Sequence, residues 1–173
     1  MRVLLTPHPK TLWPPVQLLE VEIGRRGDQL FLQYGLQGDL DRVRWPERAP
    51  ASRTDGLWKH TCFEAFVSVG SAYYEFNLTT SGQWASYRFD GYRQGMAPAE
   101  QEAALVVLEG RSDYRDIGGL FDLPAGADRL AVSAVIEDVD GGLSYWAFHH
   151  PPGKPDFHHP DSFALIVPPP ELT

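Results

Sequence analysis

Short runs of alternating apolar and polar residues, separated by turn residues, dominate this chain. Apolar-rich runs at residues 16–23 and 29–36 flank a glycine-containing loop, which is typical of a β-hairpin. Residues 61–69, 72–79 and 83–90 alternate with the period of two that strands show, and short turns separate them. These three runs predict an antiparallel three-stranded meander.

The remainder of the chain continues the pattern of short strands. Further strands are predicted at residues 42–46, 103–108, 130–137, 143–149 and 163–167. The intervening Gly-rich segment after residue 108 is predicted to be irregular, and only residues 96–102 suggest a helical turn. About ten strands predict an all-β fold, an antiparallel β-sandwich with a jelly-roll-like, immunoglobulin-like two-sheet architecture.

Size and charge narrow the classes of partner. The 173 residues are 43% hydrophobic, which is enough for one well-buried core, so we expect a single domain over residues 1–173. The net charge of -8 argues against a nucleic-acid partner, because surfaces that bind phosphates are basic. No apolar run approaches the roughly 20 residues of a membrane helix, so membrane insertion is not expected.

Cysteine usage and the N-terminal segment bear on the compartment. Cys62 is the single cysteine, so a disulfide within the chain is excluded. The first residues contain Pro7 and Pro9 and lack the long apolar stretch and the cleavage site of a signal peptide. These features favour a reducing compartment, and we expect a cytoplasmic location.

One face of the predicted meander is more polar than a core face. If Phe76 and Phe89 point into the core, alternation places the other set of side chains on the opposite face. That set comprises His60, Cys62, Glu64, Tyr73, Glu75, Asn77, Trp84, Ser86 and Arg88. A solvated sheet face is the ordinary interpretation. An indole beside planar polar groups is instead typical of sugar recognition, in which a ring covers the pyranose and polar side chains bind its hydroxyls.

Two residue pairs on this face also suggest catalysis. Glu64 and Glu75 could serve as acid and base or nucleophile of a hydrolase, since glycosidases use two carboxylates. Paired side chains on adjacent strands are only about 5 Å apart, and nothing in the sequence shows that these two flank a bond. His60 and Cys62 could form a thiol and base dyad, although a buried cysteine near a hydrogen-bonded histidine is commoner. No catalytic residue is assigned.

Most of the histidines fall in one proline-rich loop. They are His149, His150, His158 and His159. With Asp156 and Asp161 they could bind a transition metal, or one could be an axial haem ligand, and His149 and His158 are the candidate metal ligands. No cysteine pair or recognised metal spacing accompanies them, which favours a stiff loop whose histidines bind backbone groups. In either case the loop follows the strand that carries Trp146 and could form one wall of a binding site.

Several aromatic and polar motifs form a set from residue 57 onward. They are LWKHTCFEAF at residues 57–66, YYEFN at 73–77, SGQWASYRF at 81–89, YWAFH at 145–149 and PDFH at 155–158. This set resembles the bacterial DOMON-like proteins, which are related to the family-nine carbohydrate-binding modules. The resemblance implies a jelly-roll-like sandwich that binds sugars in the carbohydrate modules and haem in some DOMON domains.

The resemblance also implies roles for individual residues. In the carbohydrate modules, aromatic rings grip the sugar, and Trp84 with either Trp58 or Trp146 could do so here. Glu75, Asn77 and Arg88 are the candidates for the polar contacts. Haem-binding members use a methionine and a histidine as iron ligands, and Met96 is the only internal methionine of this chain.

These observations together predict a non-enzymatic domain that binds a carbohydrate or a similar small polar ligand. The predicted ligand-binding residues are Trp58, His60, Glu64, Tyr73, Glu75, Asn77, Trp84, Arg88 and Trp146. The main alternative is a haem-binding or metal-binding domain that uses the loop at residues 149–159. A second alternative is a hydrolase that uses Glu64 and Glu75.

Overall fold

The computed structural model describes residues 1–171, which form an almost entirely β structure. The strands are β1 (Arg2–Pro7), β2 (Val16–Arg26), β3 (Gln29–Gly38), β4 (Cys62–Val69), β5 (Ala72–Leu78), β6 (Trp84–Phe89), β7 (Ala97–Pro98), β8 (Ala103–Arg111), β9 (Tyr114–Asp122), β10 (Arg129–Glu137), β11 (Leu143–Ala147) and β12 (Leu165–Ile166). Short 3₁₀ helices lie at Leu40–Arg42, Leu57–Lys59 and Pro160–Ser162. Within the described residues no helix could span a membrane. The predicted all-β class is confirmed.

The strands form one antiparallel sheet that curls back on itself. Their order is β7-β6-β5-β4-β10-β11-β1-β2-β3-β9-β8, and β12 pairs with β10. β1 joins the two halves of the sheet, because its first residues pair with β2 and its last two pair with β11. We call the strands from β7 to β11 in this order the first half, and the strands from β2 to β8 the second half.

The curl brings the two halves face to face around one apolar core. The ring of Phe76 in β5 lies 5.7 Å from that of Phe121 in β9, edge to face. Tyr34 of β3 donates a hydrogen bond of 2.8 Å from its hydroxyl to the backbone carbonyl of Glu64 in β4. Because strands alternate, the inward side chains of both halves fill this core, and the other face of the first half is left for a second set of contacts.

Several predicted elements differ from the structure. Residues 42–46 do not form a strand, and Val43 makes only an isolated bridge to Asp138. Residues 96–102 contain the two-residue strand β7 in place of the predicted helical turn. The N-terminal strand β1 was not predicted, and β9 occupies part of the segment that was predicted to be irregular.

The glycines of β9 explain why its pattern did not predict a strand. A Cβ at Gly118 would lie 2.8 Å from Val107 of β8, and a Cβ at Gly119 would lie 2.5 Å from Leu78 of the facing half. Glycine in a strand often marks such a close approach of neighbouring groups. Here the glycines indicate tight packing and not irregular backbone.

The register of β5 with β6 contradicts the predicted faces of the meander. The pairs are Leu78 with Trp84, Phe76 with Ser86, Tyr74 with Arg88, Glu75 with Tyr87 and Tyr73 with Phe89. Directly paired residues point to the same face, so Trp84 and Arg88 lie on the side of Phe76. The prediction that they share a face with Glu75 is wrong. A shift of one residue reverses every side chain of a strand, and the connection at residues 79–83 sets this register.

Candidate ligand-binding site

Loops cover the outer face of the first half of the sheet. This face carries an apolar cluster of Phe66, Tyr73, Ala85, Tyr87, Phe89 and Ala131. Leu57, Phe157 and Phe163 pack onto it from the loops, and the rings of Phe157 and Phe163 each lie 6.4 Å from Phe66. The face is therefore a second packed surface and not a solvated one.

A cavity of about 370 Å³ lies between these loops and the sheet. It is lined by Trp58, Glu64, Glu75, Phe89, Arg93, Met96, Val135, Tyr145, Pro155, Phe157 and His158. Strands β4, β5, β6, β10 and β11 each contribute a residue, and the loops contribute the others. We call it the Glu64–Glu75 cavity. Its volume is at the small end of the range for ligand pockets, and its walls combine aromatic rings with two carboxyl groups.

A row of buried polar side chains crosses three neighbouring strands beneath the cavity. Ser133 of β10 pairs with Glu64 of β4, which pairs with Asn77 of β5, and all three are buried. Among the described residues, Oγ of Ser133, Oε1 of Glu64 and Oδ1 of Asn77 find no hydrogen-bond partner. Most buried polar atoms in proteins are paired, so this row of acceptor atoms is unusual. Of the three residues, Glu64 lines the cavity, whereas the unpaired oxygen atoms of all three are closed to solvent.

Burial dominates the protonation of the two glutamates. It raises the pKa of Glu75 to about 7, although a hydrogen bond from Nδ2 of Asn77 at 3.1 Å and the charge of Arg93 act in the opposite direction. Burial also raises the pKa of Glu64 well above its usual range, and the nearby charge of Glu75 raises it further. Glu75 is the diagonal neighbour of Glu64 on the adjacent strand, where α-carbons are about 7–8 Å apart.

Tyr73 and His158 continue the polar contacts on the loop side. The Tyr73 hydroxyl accepts the backbone N–H of Arg93 at 3.2 Å and lies 2.8 Å from Nδ1 of His158. Burial, with the charge of Arg93, lowers the pKa of His158 to about 4, so its ring is neutral at pH 7. With Tyr73 donating to Nδ1, the ring proton is on Nε2. That nitrogen lies 3.6 Å from Oε2 of Glu75.

The positive charge of Arg93 is balanced by Asp156, which is not one of the two glutamates. Its guanidinium forms an ion pair of 2.8 Å with Asp156, which also accepts a hydrogen bond from the Tyr92 hydroxyl. Arg93 has a φ of 53°, in the left-handed region that few non-glycine residues adopt. This turn after β6 brings its side chain to the loop that follows β11.

Five of the predicted binding residues come together at or beside this cavity. Trp58, Glu64 and Glu75 line it, and Tyr73 and Asn77 are hydrogen-bonded to lining residues. His60 lies on the same side of the sheet but outside the cavity. Its Nδ1 is 2.7 Å from Oε2 of Glu137, and it lines a neighbouring cavity of about 570 Å³.

The other three predicted binding residues lie away from the cavity. Trp84 packs against the main core with the Arg53 guanidinium 4.5 Å above its ring, and Arg88 is exposed and paired with Asp90. Trp146 is buried in the core, and its indole N–H donates to the Ser144 hydroxyl at 3.0 Å. The predicted aromatic role is therefore corrected for Trp84 and Trp146, and Trp58 is the tryptophan at the cavity.

The histidine-rich loop forms one wall of the cavity but does not assemble a metal site. His149 is exposed, His158 lines the cavity, and residues 1–171 contain no group of three His, Cys, Asp or Glu side chains that could hold a metal. Nε2 of His150 lies 2.8 Å from the carbonyl of Thr6, and Nδ1 of His159 accepts the N–H of Asp161. These two histidines bind backbone groups, as the alternative interpretation of the loop expected.

Haem ligation does not fit the arrangement of the cavity. Met96 and His158 both line it, and these are the residue types that haem-binding DOMON domains use. However, Nδ1 of His158 faces the Tyr73 hydroxyl and Nε2 faces Glu75. A histidine ligand needs a free nitrogen lone pair for iron, and with Tyr73 donating to Nδ1 the lone pair of His158 is already engaged.

Several lining residues were not predicted from the sequence. Alternation predicted that Phe89 lies in the core, and Trp146, not its neighbour Tyr145, was the predicted binding residue. The pairing of Tyr145 with Val135 and of Trp146 with Ala134 fixes which of the two faces the cavity. Arg93 and Phe157 come from turns, where alternation gives no direction. The PDFH motif, and the position of this loop after the strand that carries Trp146, had indicated that the loop of Phe157 could form a wall of the site.

Comparisons with known proteins give one informative similarity, which concerns the fold. No protein-family model and no curated protein sequence matches this chain. The crystal structure of a candidate carbohydrate-binding protein from Bacteroides uniformis is similar, with a TM-score of 0.61 and 17% sequence identity. The similarity covers 94% of this chain and 84% of that chain. At this level of identity the likeness shows a shared fold.

Proposed function

We propose that this chain is a non-enzymatic binding protein for a carbohydrate or a similar small polar ligand, which it holds in the Glu64–Glu75 cavity. One observation carries the proposal: two carboxyl groups and several aromatic rings line the same cavity, and buried polar atoms without partners lie next to it. The name of the Bacteroides uniformis protein, which shares the fold, supports the same class of ligand.

The chemistry of a sugar suits both parts of the cavity. A pyranose has an apolar face of C–H groups that packs on rings such as Trp58 and Tyr145. Its hydroxyls can bond the carboxyl groups of Glu64 and Glu75, which line the cavity. A volume of about 370 Å³ suits one or two sugar rings better than a long chain.

We also propose that the chain has the jelly-roll-like fold of the families that its sequence resembles. The curled sheet, with its halves packed face to face, supports a jelly-roll-like sandwich of the type found in DOMON-like proteins and family-nine carbohydrate-binding modules. The main core, which both halves of the sheet share, supports one domain over the chain. A cytoplasmic location stays a prediction from composition.

Replacing Trp58 with alanine should weaken sugar binding about tenfold, because a stacking ring contributes about 1–2 kcal/mol and 1.4 kcal/mol is a factor of ten. Titration calorimetry with a panel of disaccharides would measure this. Trp84→Ala is the matched control, since Trp84 lies on the opposite face of the sheet. Loss of affinity in the Trp84 variant alone would place the binding site elsewhere.

A glycoside hydrolase is a second candidate function, and a specific observation favours it. Glu64 and Glu75 line one cavity, as a two-carboxylate mechanism requires. A carboxyl group with a pKa of about 7, as burial gives Glu75, can act as a general acid at neutral pH. Glu75 would then protonate the leaving oxygen, and Glu64 would have to be ionised to attack the sugar or activate water, which the burial that raises its pKa opposes.

Incubation with nitrophenyl glycosides separates the two functions. The binding proposal predicts no release of nitrophenol above that from Glu75→Gln, in which the acid is removed and the cavity volume is kept. Release that Glu75→Gln lowers by roughly 10²-fold or more would establish the hydrolase, because a positioned general acid contributes about that factor. Binding of disaccharides by both proteins would show that the variant retains its cavity.

A further inference from the structure

The charged groups around the Glu64–Glu75 cavity are unevenly balanced. Arg93 is neutralised by its ion pair with Asp156, and His158 is neutral at pH 7 because burial lowers its pKa to about 4. Cys62, Tyr73 and Tyr87, whose pKa values burial raises, are uncharged at that pH. Arg93 is the cation that lines the cavity, and Asp156 competes with Glu75 for its charge.

A neutral sugar would relieve only part of this imbalance. Its hydroxyls can bond the two carboxyl groups but bring no positive charge, so burial would still favour their protonated forms. An ammonium group supplies three donors and a positive charge together. Aromatic rings lining the cavity, including Trp58 and Tyr145, would attract that charge as well.

The spacing of the glutamates suits a group placed between them. Glu64 and Glu75 are diagonal neighbours whose α-carbons are about 7–8 Å apart, and both side chains line the cavity, so one ammonium group can lie between the two carboxyl groups.

We propose that the cavity selects an amino sugar, whose protonated amine lies between the carboxylates of Glu64 and Glu75. This inference rests on the proposed carbohydrate-binding function and names its substrate class. The overall negative charge of the chain favours the approach of such a cation. Binding of the cation ionises carboxyl groups that are protonated in the empty cavity, so binding releases protons.

The test compares β-1,4-linked dimers of glucose, glucosamine and N-acetylglucosamine by titration calorimetry at pH 6. These probes share one backbone and differ mainly in the substituent at C2. We expect the glucosamine dimer to bind at least tenfold more tightly than the other two. We also expect its binding enthalpy to vary with the ionisation enthalpy of the buffer, as proton release requires.

Two isosteric variants and a control connect the preference to the cavity. Glu64→Gln and Glu75→Gln should each reduce the preference for the glucosamine dimer at least tenfold. Glu109→Gln removes the same charge from an exposed position on β8 and should keep the preference, which separates the site from general charge attraction. Thermal melting would establish that each variant is folded.

The possible outcomes distinguish failure of the amino-sugar inference from failure of the proposed carbohydrate-binding function. Equal or tighter binding of the glucose dimer would overturn the amino-sugar inference and leave carbohydrate binding in place. A preference that persists in both glutamine variants, or that Glu109→Gln also removes, would overturn the assignment to the two glutamates. Absence of binding by all three dimers would overturn the inference together with the proposed function.

Discussion

Replacing Trp146 with alanine should lower the melting temperature by roughly 6–20 °C. Truncating a buried tryptophan costs about 3–5 kcal/mol, and each kcal/mol corresponds to roughly 2–4 °C in a domain of this size. Trp146 is 2% exposed, packs in the main core and has its indole N–H bonded to Ser144. Its removal would leave a cavity between the two halves of the sheet. Differential scanning calorimetry measures the effect.

Trp58→Ala is the matched control for this result. Trp58 is 36% exposed on a 3₁₀ turn and touches Tyr87 edge to face at 5.9 Å. Its removal should change the melting temperature by only a few degrees while it weakens sugar binding. Similar melting temperatures for the two variants would contradict the assignment of Trp146 to the core and Trp58 to the cavity.

Glu75→Gln should raise the free energy of unfolding, relative to the wild type, by about 2–3 kcal/mol more at pH 8 than at pH 5. Burial raises the pKa of Glu75 from its usual 4.5 to about 7, so the folded state holds this proton more tightly than the unfolded state. The resulting stability is fully present below pH 4.5 and is lost as the pH rises through 7. Glutamine is neutral at every pH, so the variant loses no stability by ionisation at this position.

Urea unfolding at pH 5 and pH 8 measures this difference. His158 acts in the opposite direction, because a pKa lowered to about 4 makes its stability contribution disappear as the pH falls from 6.5 through 4. That effect is common to wild type and variant and cancels in the comparison. Glu109→Gln, at an exposed site, should show nearly the same stability difference from wild type at both values of pH. A constant difference for Glu75→Gln would show that Glu75 ionises normally.

Much of the candidate site could be predicted from residue types and alternation within single strands. In β4 the side chain of Glu64 points to the face opposite that of Phe63 and Ala65. In β5 the side chains of Glu75 and Asn77 point to the face opposite that of Phe76, and the structure has both arrangements. Alternation along one strand is local, since successive side chains point to opposite faces wherever the strand lies.

The register between neighbouring strands could not be predicted from alternation. Trp84 and Tyr87 were assigned to the wrong faces because the connection at residues 79–83 permits either register, and only the pairing of Leu78 with Trp84 selects one. Trp146 and Tyr145 have the same ambiguity, which their pairing with β10 resolves. A register error of one residue exchanges the core and the cavity.

The sequence by itself determined the all-β class, most strands, and the concentration of polar and aromatic residues around Glu64 and Glu75. These features depend on local periodicity and on residue chemistry, which a chain carries without its tertiary structure. Only the tertiary structure decided that the polar face is covered by loops and that Arg93, Tyr145 and Phe157 complete the cavity. It also decided that Trp58 is the tryptophan at the cavity and that the glutamates are diagonal neighbours. Such contacts join residues far apart in the chain, and their geometry depends on the register and curl of the whole sheet.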